Sequence, residues 1–206
     1  MIFIDSTSTD PRYNLALEQF VFDQLPGNQS YLMLWQNHNT IVVGKHQNTR
    51  EEINESYVFE KQINVVRRLS GGGAVYHDMG NLNYTFITDD QYNDSFRFDV
   101  FTKPIIDTLS ELGIHAEFNS RNDITINEQK FSGSAQYTKD GRVMHHGTLM
   151  FNSDLSQIPK ALNPNKDKFQ SKSTKSVRSR VCNIYDHLKS QMTLNDFKTK
   201  LIAHIE

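Results

Sequence analysis

Apolar positions fall into short runs and broken stripes, and their spacing sets out helices and strands that alternate without a fixed rhythm. Leu17, Phe20, Val21, Phe22 and Leu25 form a broad apolar stripe behind Asp10-Pro11, a capping residue followed by a residue suited to the first helical position. This predicts a helix from Pro11 that ends before Pro26-Gly27. "YLMLWQN" and "TIVVGKH" are apolar runs split by His38-Asn39 and read as two neighbouring buried strands. "INVVRRL" is a third strand. "NLNYTFI" is a fourth, with Leu82, Tyr84 and Phe86 alternating onto one face.

Helical spacing returns in "FDVFTKPIIDTLSELG", with Pro104 in its early turns and Gly113 as the stop. The stretch from His115 to Asn152 reads as β-hairpins with turns at Asn127-Glu128 and Asp140-Gly141. "DLSQIPKAL" is a short helix, residues 163–180 a polar, lysine-rich loop, and "TLNDFKTKLIAHIE" an amphipathic helix capped by Thr193. Strands and helices without a βαβ rhythm point to the α+β class.

Composition narrows the class of function. The 206 residues suffice for one sizeable domain or a domain with a small appendage, and 37% hydrophobic with 22% charged residues excludes wholesale disorder. A net charge of −2 argues against general nucleic-acid or anionic-membrane binding. No apolar run is long enough to span a bilayer, and the opening residues lack the features of a signal peptide. The single cysteine, Cys182, excludes an internal disulfide and fits a reducing cytoplasm.

The stretch "RRLSGGGAVYHD" is the least ordinary. No lysine follows the glycines as a P-loop requires, and the downstream residues are strand-like where a dinucleotide fingerprint opens a helix. A glycine-rich hairpin or bulge is the default reading. Its flanks add a second: Arg67, Arg68 and Ser70 beside consecutive small residues suit an anion-binding nest for a phosphate or carboxylate. The two arginines point to opposite faces of the strand, so one of them faces a ligand. In "RNDITINEQKFSGSAQ", Asn122 and Asp123 begin a strand, and a hairpin returns Lys130 to that end. Fixed positive charge, close-approach backbone and a possible Mg2+ ligand in Asp123 are what a nucleotide phosphate and a carboxylate need.

Taken in order and spacing, "RRLSGGGAVYHDMGNLNYTF", "RND", "KFSGSAQ", "HHGTL" and "SVRSRV" resemble lipoate–protein ligase, as do "DPRYNLALEQ" and "LMLWQNHNTIVVGKHQN". The resemblance covers nearly the whole chain. It implies the mixed sheet flanked by helices that this family shares with biotin–protein ligases. It implies ATP and Mg2+ as cofactors, lipoate as substrate and lipoyl-AMP as intermediate. The lipoyl-domain acceptors implied belong to 2-oxoacid dehydrogenases and the glycine-cleavage H protein. It places Lys130 at the acyl carbonyl and α-phosphate. It further assigns Arg68, Ser70, Gly71, Gly72, Gly73, Ala74, Val75 and Tyr76 to the phosphate and acyl pocket, Asn122 and Asp123 to the phosphate or magnesium side, and Ser134 and Ala135 to the same site. His77 and His146 are further candidates. His145 and His146 face opposite sides of a strand and cannot easily share a metal.

An apolar tail needs an apolar tunnel, for which Trp35, Val42, Val43 and Gly44 are the expected walls. The basic segment with Lys166, Lys168, Lys172, Lys175, Arg178 and Arg180 reads by charge alone as a solvated loop; the resemblance implies an adenylate-side lid, with partner docking as the second reading. Three rivals stand beside the ligase. A transferase using a carrier-protein donor would need Cys182 as an activated thiol. A lone catalytic half, or non-catalytic module, would hold or transfer from preformed lipoyl-adenylate. A biotin–protein ligase fits less well, because its interleaved arginine-glycine pattern is missing. The expected division is a catalytic domain over 1–189, with 190–206 leading into a linker, an accessory domain or a separate subunit.

Overall fold

The computed structural model describes residues 1–90, 97–119, 122–162 and 180–205. In chain order the strands are β1 (Ile2–Asp5), β2 (Tyr31–Trp35), β3 (Thr40–Val43), β4 (Asn64–Arg67), β5 (Val75–His77), β6 (Asn81–Asp89), β7 (Glu117–Phe118), β8 (Asp123–Ile126), β9 (Gln129–Lys139) and β10 (Arg142–Met150). The helices are α1 (Pro11–Gln24), α2 (Thr49–Glu52), α3 (Glu55–Glu60), α4 (Phe98–Glu111), α5 (Ile158–Ala161) and α6 (Leu194–Ile205). A large sheet runs β1-β2-β6-β10-β9-β8-β7, and a small one β4-β3-β5. Both are mixed, since β1 joins β2 and β3 joins β4 in parallel while the remaining pairs are antiparallel. The α+β expectation holds.

Period-two alternation explains how the large sheet is covered on both faces. Along β2, Leu32 and Leu34 point into the core shared with α4 and α6, while Tyr31, Met33 and Trp35 face Val21 and Phe22 of α1. Leu82, Tyr84 and Phe86 of β6 lie on the α4–α6 side as the sequence predicts. α6 is capped by Thr193, whose Oγ1 accepts from the Asp196 amide at 3.1 Å. It buries Phe197 and Leu201 completely against that core, each worth about 1.5–3 kcal/mol of apolar burial.

Two expectations change. β2 and β3 are not neighbours in one sheet: Asn39 turns with φ 40° and sends β3 into the small sheet. α1 is capped by Asp10, as predicted, but Phe20 is 53% exposed. The face α1 buries is Pro11, Asn14, Glu18, Val21 and Phe22, so two of its inward positions are polar. A stripe drawn from apolar residues alone could not include them.

Candidate functional site

The arginine pair divides as strand geometry requires. Arg67 donates outward to the carbonyls of Gly44 and Gln47, at 2.6 and 2.9 Å, and to Thr49 Oγ1 at 2.8 Å. Arg68 turns inward. Its Nε donates to Ser70 Oγ at 3.1 Å, Nη1 to Val42 O at 3.2 Å, and Nη2 to the carbonyls of Gly71 and Gly73 at 2.7 and 2.8 Å. The loop is therefore curled around a guanidinium that staples it to β3. Glycine is required at Gly72, where φ is +90°, and at Gly44, where a Cβ would stand 2.2 Å from the Gly72 carbonyl oxygen. The close approach that the glycines permit is first of all one of chain to chain.

Lys130 reaches the site through a β-bulge. Asp123 faces Gly133 and Ile124 faces Ser132, but Thr125 faces Lys130, leaving Phe131 as an extra residue. Phe131 fills the main core. The inserted residue shifts the alternation, so Lys130 joins Gly133 and Asp123 on one face. Its Nζ lies 2.7 Å from Asp123 Oδ1, with the two side chains 24% and 17% exposed. A Cβ on Gly133 would fall 2.6 Å from that Nζ, so the lysine lies directly across the glycine. Asn122 is tied down by Ser134, its Nδ2 donating to the Ser134 carbonyl at 2.7 Å.

These groups share one cavity of about 330 Å³ at the junction of the two sheets. Trp35, Arg68, Gly72, Gly73, Ala74, Val75, His77, Asn122, Asp123, Lys130, Ser134, Ala135 and His146 all line it. Three residues expected in the lining lie elsewhere. Ser70 sits behind Arg68, hydrogen-bonded to it and to His146. Gly71 gives only its carbonyl to Arg68. Tyr76 alternates to the opposite side of β5 and donates to Asn39 Oδ1 at 3.0 Å. Of the expected apolar walls Trp35 and Val42 are present, whereas Val43 packs in the small sheet's core and Gly44 is covered by Gly72. Leu15, Asn83, Gly133, Gly147 and Thr148 complete the lining. The alternation of Asn81, Asn83 and Thr85 against the apolar side of β6 was a signal for Asn83.

Burial and positive neighbours govern the titration of these groups. Burial pushes the Arg68 guanidinium down to about 10, with Glu18 acting the other way, so it stays cationic at neutral pH. Burial, then Arg68 and His146, push His77 down to about 3 and keep it neutral. Asn37 Nδ2 lies 3.2 Å from His77 Nδ1, and an amide donor there leaves the ring proton on Nε2. His145 turns away from His146, as expected, and stacks on Phe101 with centroids 4.8 Å apart.

Cys182 is buried in the main core, its Sγ donating to the Gln129 carbonyl at 3.5 Å, and burial pushes its thiol up. That is the reverse of an activated nucleophile. Of the basic segment, Lys166, Lys168, Lys172, Lys175 and Arg178 lie outside the described residues. Its end at Arg180 accepts from the Lys130 amide at 2.8 Å. Among the described residues no three His, Cys, Asp or Glu side chains cluster to hold a metal, and no helix is long and apolar enough to cross a membrane. Among the described residues Asp123 is the only carboxylate lining the cavity.

The chain is similar to known proteins in sequence and in fold. Residues 10–206 match the family described as the lipoyl protein ligase A/B catalytic domain. The chain is 50% identical over 206 residues to lipoate-protein ligase LplJ of Bacillus subtilis (strain 168), covering all of this chain and 62% of that protein. It superposes on P. falciparum LipL1 in complex with lipoate at TM-score 0.86 and 31% identity, covering 99% of this chain and 61% of that one. The fold also matches lipoate-protein ligase A bound with ATP, at TM-score 0.82 and 22% identity, over 99% of this chain and 82% of that one. The chain thus spans a little over three-fifths of the curated relative's length.

Proposed function

The chain belongs to the lipoyl protein ligase A/B catalytic-domain family, and we propose that it joins lipoate to a lysine of a lipoyl-domain protein at the expense of ATP. The observation that carries this reading is the facing of Lys130 and the Arg68-stapled loop across one cavity with apolar walls. In the first step a lipoate carboxylate oxygen attacks the α-phosphorus of ATP. The bond to the β-phosphate oxygen breaks, and pyrophosphate leaves with the electron pair. In the second, the acceptor lysine's free amine attacks the acyl carbonyl of lipoyl-AMP, AMP leaves, and the amine loses its proton.

Negative charge collects on phosphoryl and carbonyl oxygens in both steps. An ammonium has three donors, and although Asp123 Oδ1 pairs with the Lys130 charge at 2.7 Å it accepts no hydrogen bond among the described residues, so the donors are open to a carbonyl and an α-phosphate oxygen. Arg68 works differently from a ligand clamp: its donors hold the loop's carbonyls, and its charge acts from behind the loop at short range. Trp35, Val42, Val75 and Leu15 supply the apolar wall for the acyl chain. Mg2+ bound at Asp123 and the phosphates would neutralise charge on the departing pyrophosphate.

The acceptor, the cytoplasmic location and the share of the reaction that this chain completes alone are part of the same proposal. Two activities separate its forms. Pyrophosphate release that depends on both lipoate and ATP supports activation by this chain. Transfer from preformed lipoyl-adenylate without such release supports a catalytic half completed by a separate accessory part. Absence of both activities in a folded protein would refute the ligase reading.

A further inference from the structure

Glu18, one of the two inward polar positions on α1, forms the centre of a buried hydrogen-bond circuit. Glu18 is 2% exposed, and its Oε1 accepts from Thr85 Oγ1 at 2.6 Å and lies 2.8 Å from His146 Nδ1. Thr85 Oγ1 in turn accepts from the Trp35 indole at 3.1 Å. On the other side of the imidazole, His146 Nε2 is 2.5 Å from Ser70 Oγ, which accepts from Arg68 Nε at 3.1 Å.

Chemistry fixes the bonds at the ends of the circuit, and a neutral imidazole fixes the one between. An indole and a guanidinium can only donate, and a carboxylate can only accept. With a neutral imidazole, donation runs from Arg68 to Ser70 to His146 to Glu18, and in either case from Trp35 to Thr85 to Glu18. The carboxylate places a His146 proton on Nδ1, and in the neutral ring Nε2 is then the acceptor for Ser70 Oγ. Three walls of the cavity, from β2, β10 and the glycine loop, end on one carboxylate.

We propose that Glu18 is the positioning residue of this site. It sets the His146 tautomer and, through Ser70, holds Arg68 in the orientation that curls the glycine loop around the cavity. The assignment rests on that cavity being the ligase site. Glu18 does not line the cavity, so its effect on turnover passes through His146 and Arg68. A residue that merely filled space would not control a tautomer.

The test uses the 206-residue protein with 15N-labelled histidine, the His146 signal being identified by its loss in His146→Gln. Wild type is expected to show Nδ1 protonated and Nε2 bare. Glu18→Met keeps the length of the side chain and removes the acceptor. It is expected to shift the ring toward the Nε2 proton and to lower kcat/KM by about 10²-fold, the effect of a displacement near 1 Å in the site. Glu18→Gln keeps an oxygen at the acceptor position and is expected to retain the wild-type tautomer and most of the turnover. Should Glu18→Met fail to fold, Ser70→Ala breaks the circuit further along: His146 should keep its Nδ1 proton while kcat/KM falls.

An unchanged His146 spectrum in Glu18→Met overturns the proposal, as does wild-type turnover there, or damage in Glu18→Gln equal to that in Glu18→Met. If Ser70→Ala is the variant measured, full turnover overturns it. The tautomer measurement needs no substrate. Absence of ligase activity in the wild type would therefore count against the proposed function and leave the spectroscopic result standing.

Discussion

Replacing Gly133 with alanine should separate activity from stability. A methyl group there would lie 2.6 Å from Lys130 Nζ, 2.7 Å from Lys130 Cε and 3.4 Å from Asp123 Oδ1. Carbon atoms settle at about 3.5–4.0 Å, so the end of the lysine must withdraw by roughly 1 Å. The displaced atoms are the far end of a flexible side chain, and Gly133 does not have the left-handed φ that would strain an alanine. Alanine in a strand also loses less chain entropy than glycine, which favours the variant by about 0.5–1 kcal/mol. Stability should stay level or rise. Catalysis should not: a 1 Å misplacement costs about 10²-fold, or ~2.7 kcal/mol of transition-state stabilisation. Denaturant melts and lipoate-dependent pyrophosphate release measure the two quantities on one sample. Full turnover would refute the idea that the lysine works from its place across Gly133. A drop of several kcal/mol in stability would refute the reading of the contact as soft.

Three further outcomes are expected. Gly44→Ala should destabilise the fold by about 1–3 kcal/mol in a urea melt, because its methyl meets the Gly72 carbonyl, which is backbone and cannot swing aside. Cys182→Ser should leave turnover near wild type, since the thiol is buried away from the cavity; lost turnover with the fold intact would favour a thioester-forming transferase. His145→Gln should flatten the acid limb of stability. Burial and the neighbouring His146 push His145 down to about 3 in the folded protein. Its contribution is complete above the ordinary histidine value of about 6.5 and is lost as pH falls toward 3, at up to ~1.4 kcal/mol per pH unit. Urea melts at several pH values should show that slope reduced in the variant, and an unchanged slope would contradict the assignment.

The elements of this fold were legible wherever one physical signal dominated. Asp10-Pro11 marked the start of α1, Asn127-Glu128 and Asp140-Gly141 the hairpin turns, and the alternation of Leu82, Tyr84 and Phe86 the inner face of β6. Most of the cavity lining was legible too, because the glycine loop and the Lys130 hairpin carry unusual residue combinations. What escaped depends on contacts distant in sequence. Glu18 reads as a solvent-facing helix residue until Thr85 and His146 are seen beside it. The separation of β2 from β3 depends on one turn at Asn39, and Lys130 reaches its face only through the bulge at Phe131. Tyr76 was misplaced for a simpler reason: a strand residue between Val75 and His77 must point the other way.

The central claim is that Lys130, facing the stapled glycine loop, carries acyl transfer. Its most direct test is the intact mass of a lipoyl-domain protein after incubation with this chain and preformed lipoyl-adenylate. We expect one lipoyl group added by the wild type, none by a folded Lys130→Met variant, and full addition by Cys182→Ser. Acceptor lipoylated equally well by Lys130→Met, but not by Cys182→Ser, would contradict it.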